Sequence, residues 1–330
     1  MKRNVFIRLE ANKKNGLGHL IRSYALSKII SKNFNVYFIL SKKSIKIKGF
    51  LDKLNCDYFF IESDDWIFEN ISNFQILVID CYEIKNDFRK KIKFLEKKIV
   101  TITDTEFDID YSDVIINHSF GVKNSDFKNY KKIKIYSGFD YVLLRDNFFR
   151  FKKKELPSKI KKIFISFGGV DPFNLTLINL KILLSINKNF KIDILTSNSN
   201  ENLINIANYI NQLSSNQKKR IKIYRDLDAE NIINVMRDCD IALVPCSSIL
   251  IEVIALGIPF ICGYFIDNQI SFYKNLYNSK IGNFIGDYRK NKLNSDHLDL
   301  SKYRFKEMCN LIDNKSNDRI KKIFNELCYF

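Results

Sequence analysis

Short apolar runs without polar alternation, each separated from the next by a longer amphipathic stretch, restrict the fold of this sequence more than any other feature. In the first half they are Val5 to Leu9, Val36 to Leu40, Tyr58 to Ile61, Ile76 to Ile79, Ile99 to Ile102 and Val114 to Ile116. A strand that is apolar on both faces is buried on both faces, as in a parallel sheet covered by helices on each side. Leu20 to Ser31 and Asn86 to Lys97 place apolar residues at threes and fours, the spacing of a helix with one buried face. A charged run ending in proline, Phe151 to Pro157, then interrupts the pattern, and all four prolines lie from there onward. The rhythm restarts with Lys162 to Phe167, Lys191 to Leu195, Ile221 to Tyr224, Ile241 to Val244 and Phe260 to Cys262. The fold class read from this is α/β, two Rossmann-like doubly wound domains facing across a cleft. The boundaries fall at residues 1–150 and 151–290, with 291–330 as a helical extension that can pack on either domain.

A length of 330 residues suffices for two buried cores. The formal net charge of +17 raises the question of a polyanion partner. However, the basic residues are 42 lysines against 12 arginines, spread along the chain without an arginine cluster or a nucleic-acid motif. They read as a lysine-leaning composition, and no nucleic-acid partner is expected. The seven cysteines are odd in number, lack C-x-x-C pairing and mostly sit in apolar runs, as buried thiols in a reducing compartment do. No apolar stretch approaches the length of a bilayer span. The expectation is a cytoplasmic protein, without membrane insertion and monomeric.

In open parallel sheets ligands bind beyond the carboxyl ends of the strands, so post-strand segments are where chemistry is sought. The first is Asn15-Gly16-Leu17-Gly18-His19. Gly16 and Gly18 let backbone N–H groups approach a ligand, and the helix that follows points its positive end there. His19 reads equally as a titratable group beside an anion or as a hydrogen-bond partner at a helix start. A second strand–turn–helix segment runs Phe167-Gly168-Gly169-Val170-Asp171-Pro172, either another backbone cradle or a structural tight turn. Ser247-Ser248 at a helix start, with Glu252 one turn after Ser248, suits a carboxylate binding ribose hydroxyls, or simply an N-cap with a first-turn acid. Two D-x-D stretches, Asp108 to Asp110 and Asp238 to Asp240, sit in an acidic loop and at a strand start, and neither is assigned a metal. His118 and His297 have no cysteine or carboxylate nearby at metal-ligand spacing. Neither metal nor cofactor is expected.

Taken in order, these segments resemble the family that hydrolyses UDP-2,4-diacetamido-2,4,6-trideoxy-β-L-altropyranose in pseudaminic acid biosynthesis. That family is similar to the lipid II GlcNAc transferase and shares its GT-B-like architecture. The resemblance covers roughly residues 3 to 285. Arg8 with Gly16, Gly18, His19 and Arg22 looks like the family's G-x-G-H-x-x-R start. Asp80 and Tyr82 look like its D-x-Y strand end, Asp104 like its acidic turn, Asn117 like the asparagine after the next strand, and Arg145 like the arginine ahead of the linker. Ser166 to Pro172, with Gly168, Gly169 and Asp171, is the most specific match, and Ser247, Ser248, Glu252, Asn268 and Gln269 complete it. Glu10 departs from the aspartate of many members, and nothing beyond Gly286 has a counterpart.

The resemblance implies an enzyme that cleaves a UDP-linked diacetamido-trideoxyhexose to free sugar and UDP, with His19 as the base that activates water. The other matched residues would be substrate contacts, and Arg145 with the glycine turns would stabilise the departing diphosphate. A glycosyltransferase with a UDP-sugar donor, or a non-catalytic nucleotide-sugar or polyanion-binding protein, are the competing readings.

Overall fold

A computed structural model describes residues 2–11, 17–104, 109–127, 130, 132–187, 189–301 and 303–328. The chain divides into two compact units, Met1–Arg145 with Asp313–Phe330, and Asp146–Ile312.

The first unit is a seven-stranded, all-parallel sheet of β1 (Arg3–Leu9), β2 (Phe34–Ser41), β3 (Asp57–Ile61), β4 (Ile76–Asp80), β5 (Lys98–Ile102), β6 (Val114–Asn117) and β7 (Lys134–Ser137). Its spatial order is β3-β2-β1-β4-β5-β6-β7, so the winding reverses between β1 and β4. Alternate residues of the same strands bury on opposite sides. Val5, Ile7, Leu9, Val78 and Ile116 pack with Leu20, Leu26 and Ile30 of the helix Gly18–Ile30. Phe6, Leu77, Ile79 and Ile99 pack with Ile67, Phe74 and Ile92. Burial on both faces is the physical reason that these strands read as unbroken apolar runs.

The second unit is a six-stranded parallel sheet of β8 (Lys162–Ile165), β9 (Lys191–Thr196), β10 (Ile221–Arg225), β11 (Ile241–Pro245), β12 (Phe260–Tyr264) and β13 (Asn283–Asp287). The order β10-β9-β8-β11-β12-β13 again reverses beside the first strand, between β8 and β11. Ile163, Ile165, Ile192, Ile194 and Leu243 form its core with Leu180 and Leu184 of the helix Leu175–Ile186.

Both sheets hold one strand more than the apolar runs indicate. β7 is a half-exposed edge strand of four residues, and β13 is an edge strand interrupted by Gly286 at φ +87°. Edge strands lose one covered side, and with it the continuous apolar signature. The segment after residue 290 also divides. The helix Phe305–Cys309 belongs to the second unit, whereas the helix Ser316–Glu326 returns to the first and adds Ile320, Ile323 and Phe324 to its core.

Candidate functional site

Both winding reversals create the strand-end crevice at which open α/β sheets bind ligands. In the first unit, His19 is the second residue of the helix that follows β1, and Asp80 ends β4 in register with Leu9. His19 Nδ1 lies 2.7 Å from Asp80 Oδ1 and 3.0 Å from the Asp80 carbonyl oxygen. Arg22, one turn along the helix, points the same way. Its Nε donates to both Asp80 oxygens at 3.0 and 2.9 Å, and its Nη1 to both Asp104 oxygens at 3.0 and 2.8 Å. Ser23 Oγ donates to Asp80 Oδ2 at 2.8 Å, and Tyr82 Oη to Asp104 Oδ2 at 3.2 Å. The Tyr82 ring meets the His19 ring edge-on at 5.1 Å. His19, Arg22, Asp80, Tyr82 and Asp104 therefore form one connected network at the ends of β1, β4 and β5.

The electrostatics assign the protons. Burial alone would push the Asp80 carboxyl up, but the Arg22 guanidinium and His19 outweigh it and hold Asp80 below the usual carboxylate range. Asp104 is held down in the same way, against its own burial, chiefly by Arg22. An ionised Asp80 only accepts hydrogen bonds, so the proton it receives from His19 sits on Nδ1. The other ring nitrogen, Nε2, is thereby the one with a lone pair.

A second network lies alongside. Arg8 Nη1 pairs with Glu10 Oε1 at 2.7 Å, and Arg8 Nε donates to Asp64. Glu10 Oε2 accepts from Ser41 Oγ at 2.9 Å and Ser44 Oγ at 3.0 Å. Asn117, which ends β6, accepts the Ser119 N–H on its Oδ1. Arg145 is buried after the segment that leads out of the unit. Gly18 is the first residue of the helix, and Gly16 lies outside the described residues. In a chain of net charge +17, the charged side chains of the two networks are Arg8 and Arg22 against Glu10, Asp64, Asp80 and Asp104. Two positive and four negative groups give these two networks, among the described residues, a summed charge of −2.

In the second unit, Gly168 at φ +84°, Asp171 at +41° and Asn174 at +55° place three left-handed residues within one turn after β8. Asp171 caps the following helix, accepting from Leu175 N at 2.8 Å and Thr176 N at 2.9 Å. Ser197 Oγ donates to the Gly169 carbonyl and Asn202 Nδ2 to that of Asp171, bracing the turn. Two of the helix's leading N–H groups are thus occupied by Asp171, and the backbone of Gly168 to Val170 remains as the part of this turn that can cradle a ligand. Ser247 is the N-cap residue of the helix Ser248–Ala255 without a side-chain capping bond, and Glu252 is buried one turn in. Beyond β12, Gln269 accepts the Phe265 N–H at 3.0 Å and Asn268 is exposed. All lie at the carboxyl edge of β8, β11 and β12. Of the D-x-D stretches, Asp108 falls outside the described residues, Asp110 accepts from Asn86, and Asp240 accepts the Lys161 and Lys162 N–H groups at the start of β8.

Sequence reading missed Ser23 and His118. Ser23 is four residues from His19 on one helix, a spacing visible in advance. His118 immediately follows β6, and its carboxylate neighbour Asp104 comes from the adjacent strand, so local spacing gives no hint of it. Burial, and then Arg22, push the His118 imidazole down from 6.5 to about 4. Between those two pH values the unfolded chain therefore takes up a proton that the folded chain refuses, and stability falls as pH falls. The expected loss is about 3 kcal/mol, since holding off a proton costs roughly 1.4 kcal/mol for each pH unit of that window. The lowered carboxyls of Asp80 and Asp104 have the same sign, but their contribution is lost only below about pH 4. Denaturant melts from pH 7 to 4 check this, and His118→Gln should flatten the upper window. A slope unchanged in that variant would refute the assignment.

No protein-family model matches the chain. The uncharacterised protein MJ1062 of Methanocaldococcus jannaschii is 30% identical over 269 residues, 76% of this chain and 53% of that protein, so the chain spans about half the length of this relative. A UDP-2,4-diacetamido-2,4,6-trideoxy-β-L-altropyranose hydrolase of Campylobacter jejuni is 28% identical over 275 residues, 81% of this chain and 93% of that protein. Among solved structures, MurG of Acinetobacter baumannii aligns over 98% of this chain and 99% of its own at a TM-score of 0.63 and 10% identity. A glycosyltransferase of Rickettsia africae aligns over 99% of both chains at a TM-score of 0.57 and 15% identity. Two doubly wound parallel sheets in one chain, together with these neighbours, establish the two-domain Rossmann-like GT-B fold. The chain is similar in sequence to the UDP-2,4-diacetamido-2,4,6-trideoxy-β-L-altropyranose hydrolase of Campylobacter jejuni and has the fold of the GT-B glycosyltransferases.

Proposed function

We propose that this protein is a cytoplasmic enzyme that hydrolyses a UDP-linked diacetamido-trideoxyhexose to the free sugar and UDP, in the formation of pseudaminic acid. The observation that carries the proposal is the hydrogen bond of 2.7 Å from His19 Nδ1 to an ionised, buried Asp80. It fixes the tautomer and leaves Nε2 to take a proton from water, as an aspartate does for the histidine of hydrolytic triads. Water attacks the anomeric carbon, its proton passes to His19, and the bond from that carbon to the diphosphate oxygen breaks with its electron pair leaving on UDP. UDP is a good leaving group, so the demand falls on aiming the water and on supporting positive charge that develops on the sugar. The carboxylates of Asp80 and Asp104 beside His19 suit the second task.

As substrate contacts we assign Arg8, Gly16, Gly18, Arg22, Asp80, Tyr82, Asp104, Asn117 and Arg145 in the first unit. In the second they are Gly168, Gly169, Asp171, Ser247, Ser248, Glu252, Asn268 and Gln269. Arg22 and Asp171 would act largely through the groups they hold, because their polar atoms are already engaged. The reaction needs neither metal nor cofactor in this scheme, and the enzyme works as a monomer. Among the described residues no helix is long and apolar enough to cross a membrane.

Replacing His19 by Ala should lower kcat by about 10²–10⁴ with UDP affinity retained. Following UDP and sugar release by NMR, across a panel of UDP-diacetamido-trideoxyhexoses, reads this directly, and undiminished turnover in the variant would end the proposal. The GT-B fold supports a second reading, transfer to an acceptor hydroxyl. Sugar release that requires an added acceptor would favour it.

A further inference from the structure

Along the helix Gly18–Ile30 and its C-cap, His19 is followed by serines at 23, 27 and 31, and these use their hydroxyls differently. Ser27 Oγ donates to the Tyr24 carbonyl at 2.8 Å and Ser31 Oγ to the Lys28 carbonyl at 2.9 Å, each three residues back along its own chain. That is the ordinary local bond of a helical serine. Ser23 instead turns away from its own backbone and donates to Asp80 Oδ2 at 2.8 Å, across to the end of β4. It is wholly buried, one turn on from His19 and next to Arg22. Alanine is the better helix former and would fill a buried helix position without a polar atom. The hydroxyl at this position is therefore accounted for by the carboxylate it meets.

The consequence of that bond follows from the geometry of Asp80. Its Oδ1 takes the His19 Nδ1 hydrogen bond at 2.7 Å, and Arg22 Nε straddles both oxygens at 3.0 and 2.9 Å. A carboxylate turns readily about its last bond, because that torsion has broad wells. Ser23 engages Oδ2 and not Oδ1, so it distinguishes the two oxygens. With Oδ2 held, the carboxylate plane is set and Oδ1 is kept toward the imidazole. A hydroxyl donating to a carboxylate is a charge-assisted bond, among the stronger ones that a side chain makes. We propose that Ser23 is a positioning residue that aims His19 by fixing the Asp80 carboxylate, an assignment whose kinetic consequence rests on the His19 reading above.

The test is a double-mutant cycle of Ser23→Ala and Asp80→Asn, with Ser27→Ala as the control on the same helix. On a UDP-diacetamido-trideoxyhexose, Ser23→Ala should lower kcat by roughly tenfold to a hundredfold with KM little changed, the worth of one hydrogen bond to a charged group. Ser27→Ala should leave both constants near wild type. In the Asp80→Asn background Ser23→Ala should cost little more, because a residue that acts through Asp80 has nothing left to act on. Losses that add in full, a loss confined to KM, or an equal loss in Ser27→Ala would each overturn the assignment. A readout independent of turnover is the 15N resonance of His19 Nδ1 in the folded protein. It should move in Ser23→Ala, stay in place in Ser27→Ala, and no longer respond to Ser23→Ala once Asp80 is Asn. A resonance unmoved by Ser23→Ala, or moved equally in both Asp80 backgrounds, overturns the inference. If wild type leaves every UDP-sugar intact while the resonance follows the expected pattern, the hydrolytic reading fails and the positioning of His19 by Ser23 stands.

Discussion

Asp80→Asn is expected to lower kcat by about 10²–10⁴ while leaving a folded protein at moderate temperature. An amide presents one acceptor oxygen where the carboxylate presents two, and the donors now spread over both, His19 Nδ1 on Oδ1, Ser23 on Oδ2 and Arg22 on each, would compete for it. The imidazole then keeps only the Asp80 main-chain carbonyl, at 3.0 Å, to hold the proton on Nδ1 and loses the carboxylate that orients it and stabilises its charged form, a loss that in hydrolytic triads costs up to about 10⁴. The same change removes one of the two carboxylates that neutralise the buried Arg22, so the midpoint of denaturant unfolding should fall. Up to about 3–5 kcal/mol is the range for breaking a buried charge pair, and Asp104 retains part of it. The two effects separate by measuring kcat well below the unfolding midpoint. A loss of under tenfold in folded enzyme would show that the orientation of His19 by Asp80 does not drive the reaction.

Ending the chain at Ile312 is expected to unfold the first unit and spare the second. The deleted helix Ser316–Glu326 supplies Ile320, Ile323 and Phe324 to the core, followed by Leu327, and Phe324 meets Phe34 edge-on at 6.1 Å. Four buried apolar side chains at about 1.5–3 kcal/mol each give roughly 6–12 kcal/mol, an upper figure because unfolded chains already bury part of this surface. Whole domains are stable by about 5–15 kcal/mol, so little would remain. Hydrogen exchange resolved by peptide should show fast exchange in β1 to β7 and protection in β8 to β13. Native-like protection throughout would contradict the role given to the helix, and the milder Phe324→Ala should cost about 3–5 kcal/mol.

The fold was legible where its physics is local. Val5 to Leu9 and Ile76 to Ile79 are apolar on both faces because helices cover both, and that pattern alone called for a parallel sheet. β7 and β13 escaped because edge strands carry mixed sequences. The site was legible in part. The glycine turns and His19 announce a strand-end site, and the resemblance supplied Asp80, Tyr82 and Asp104. The charge arrangement was not readable, since Asp80, Asp104 and His118 come from three different strands and meet only through sheet order. Asp171 carries the same lesson. As a residue of a glycine turn it reads as a ligand contact, yet its geometry makes it the cap of its own helix.

The return of Ser316–Glu326 to the first unit also sets an order for events on the ribosome. Residues 146–312 are synthesised as one uninterrupted stretch and hold a complete sheet and core, so this unit can close while translation continues. The earlier-made strands β1 to β7 wait for the last helix, with the apolar side of Ile29, Ile30 and Phe34 uncovered until it arrives. Maturation of this protein therefore runs back to front. The portion bearing His19 is made before the second unit and finished after it, and a nascent chain stalled before residue 313 would present that sticky face to chaperones.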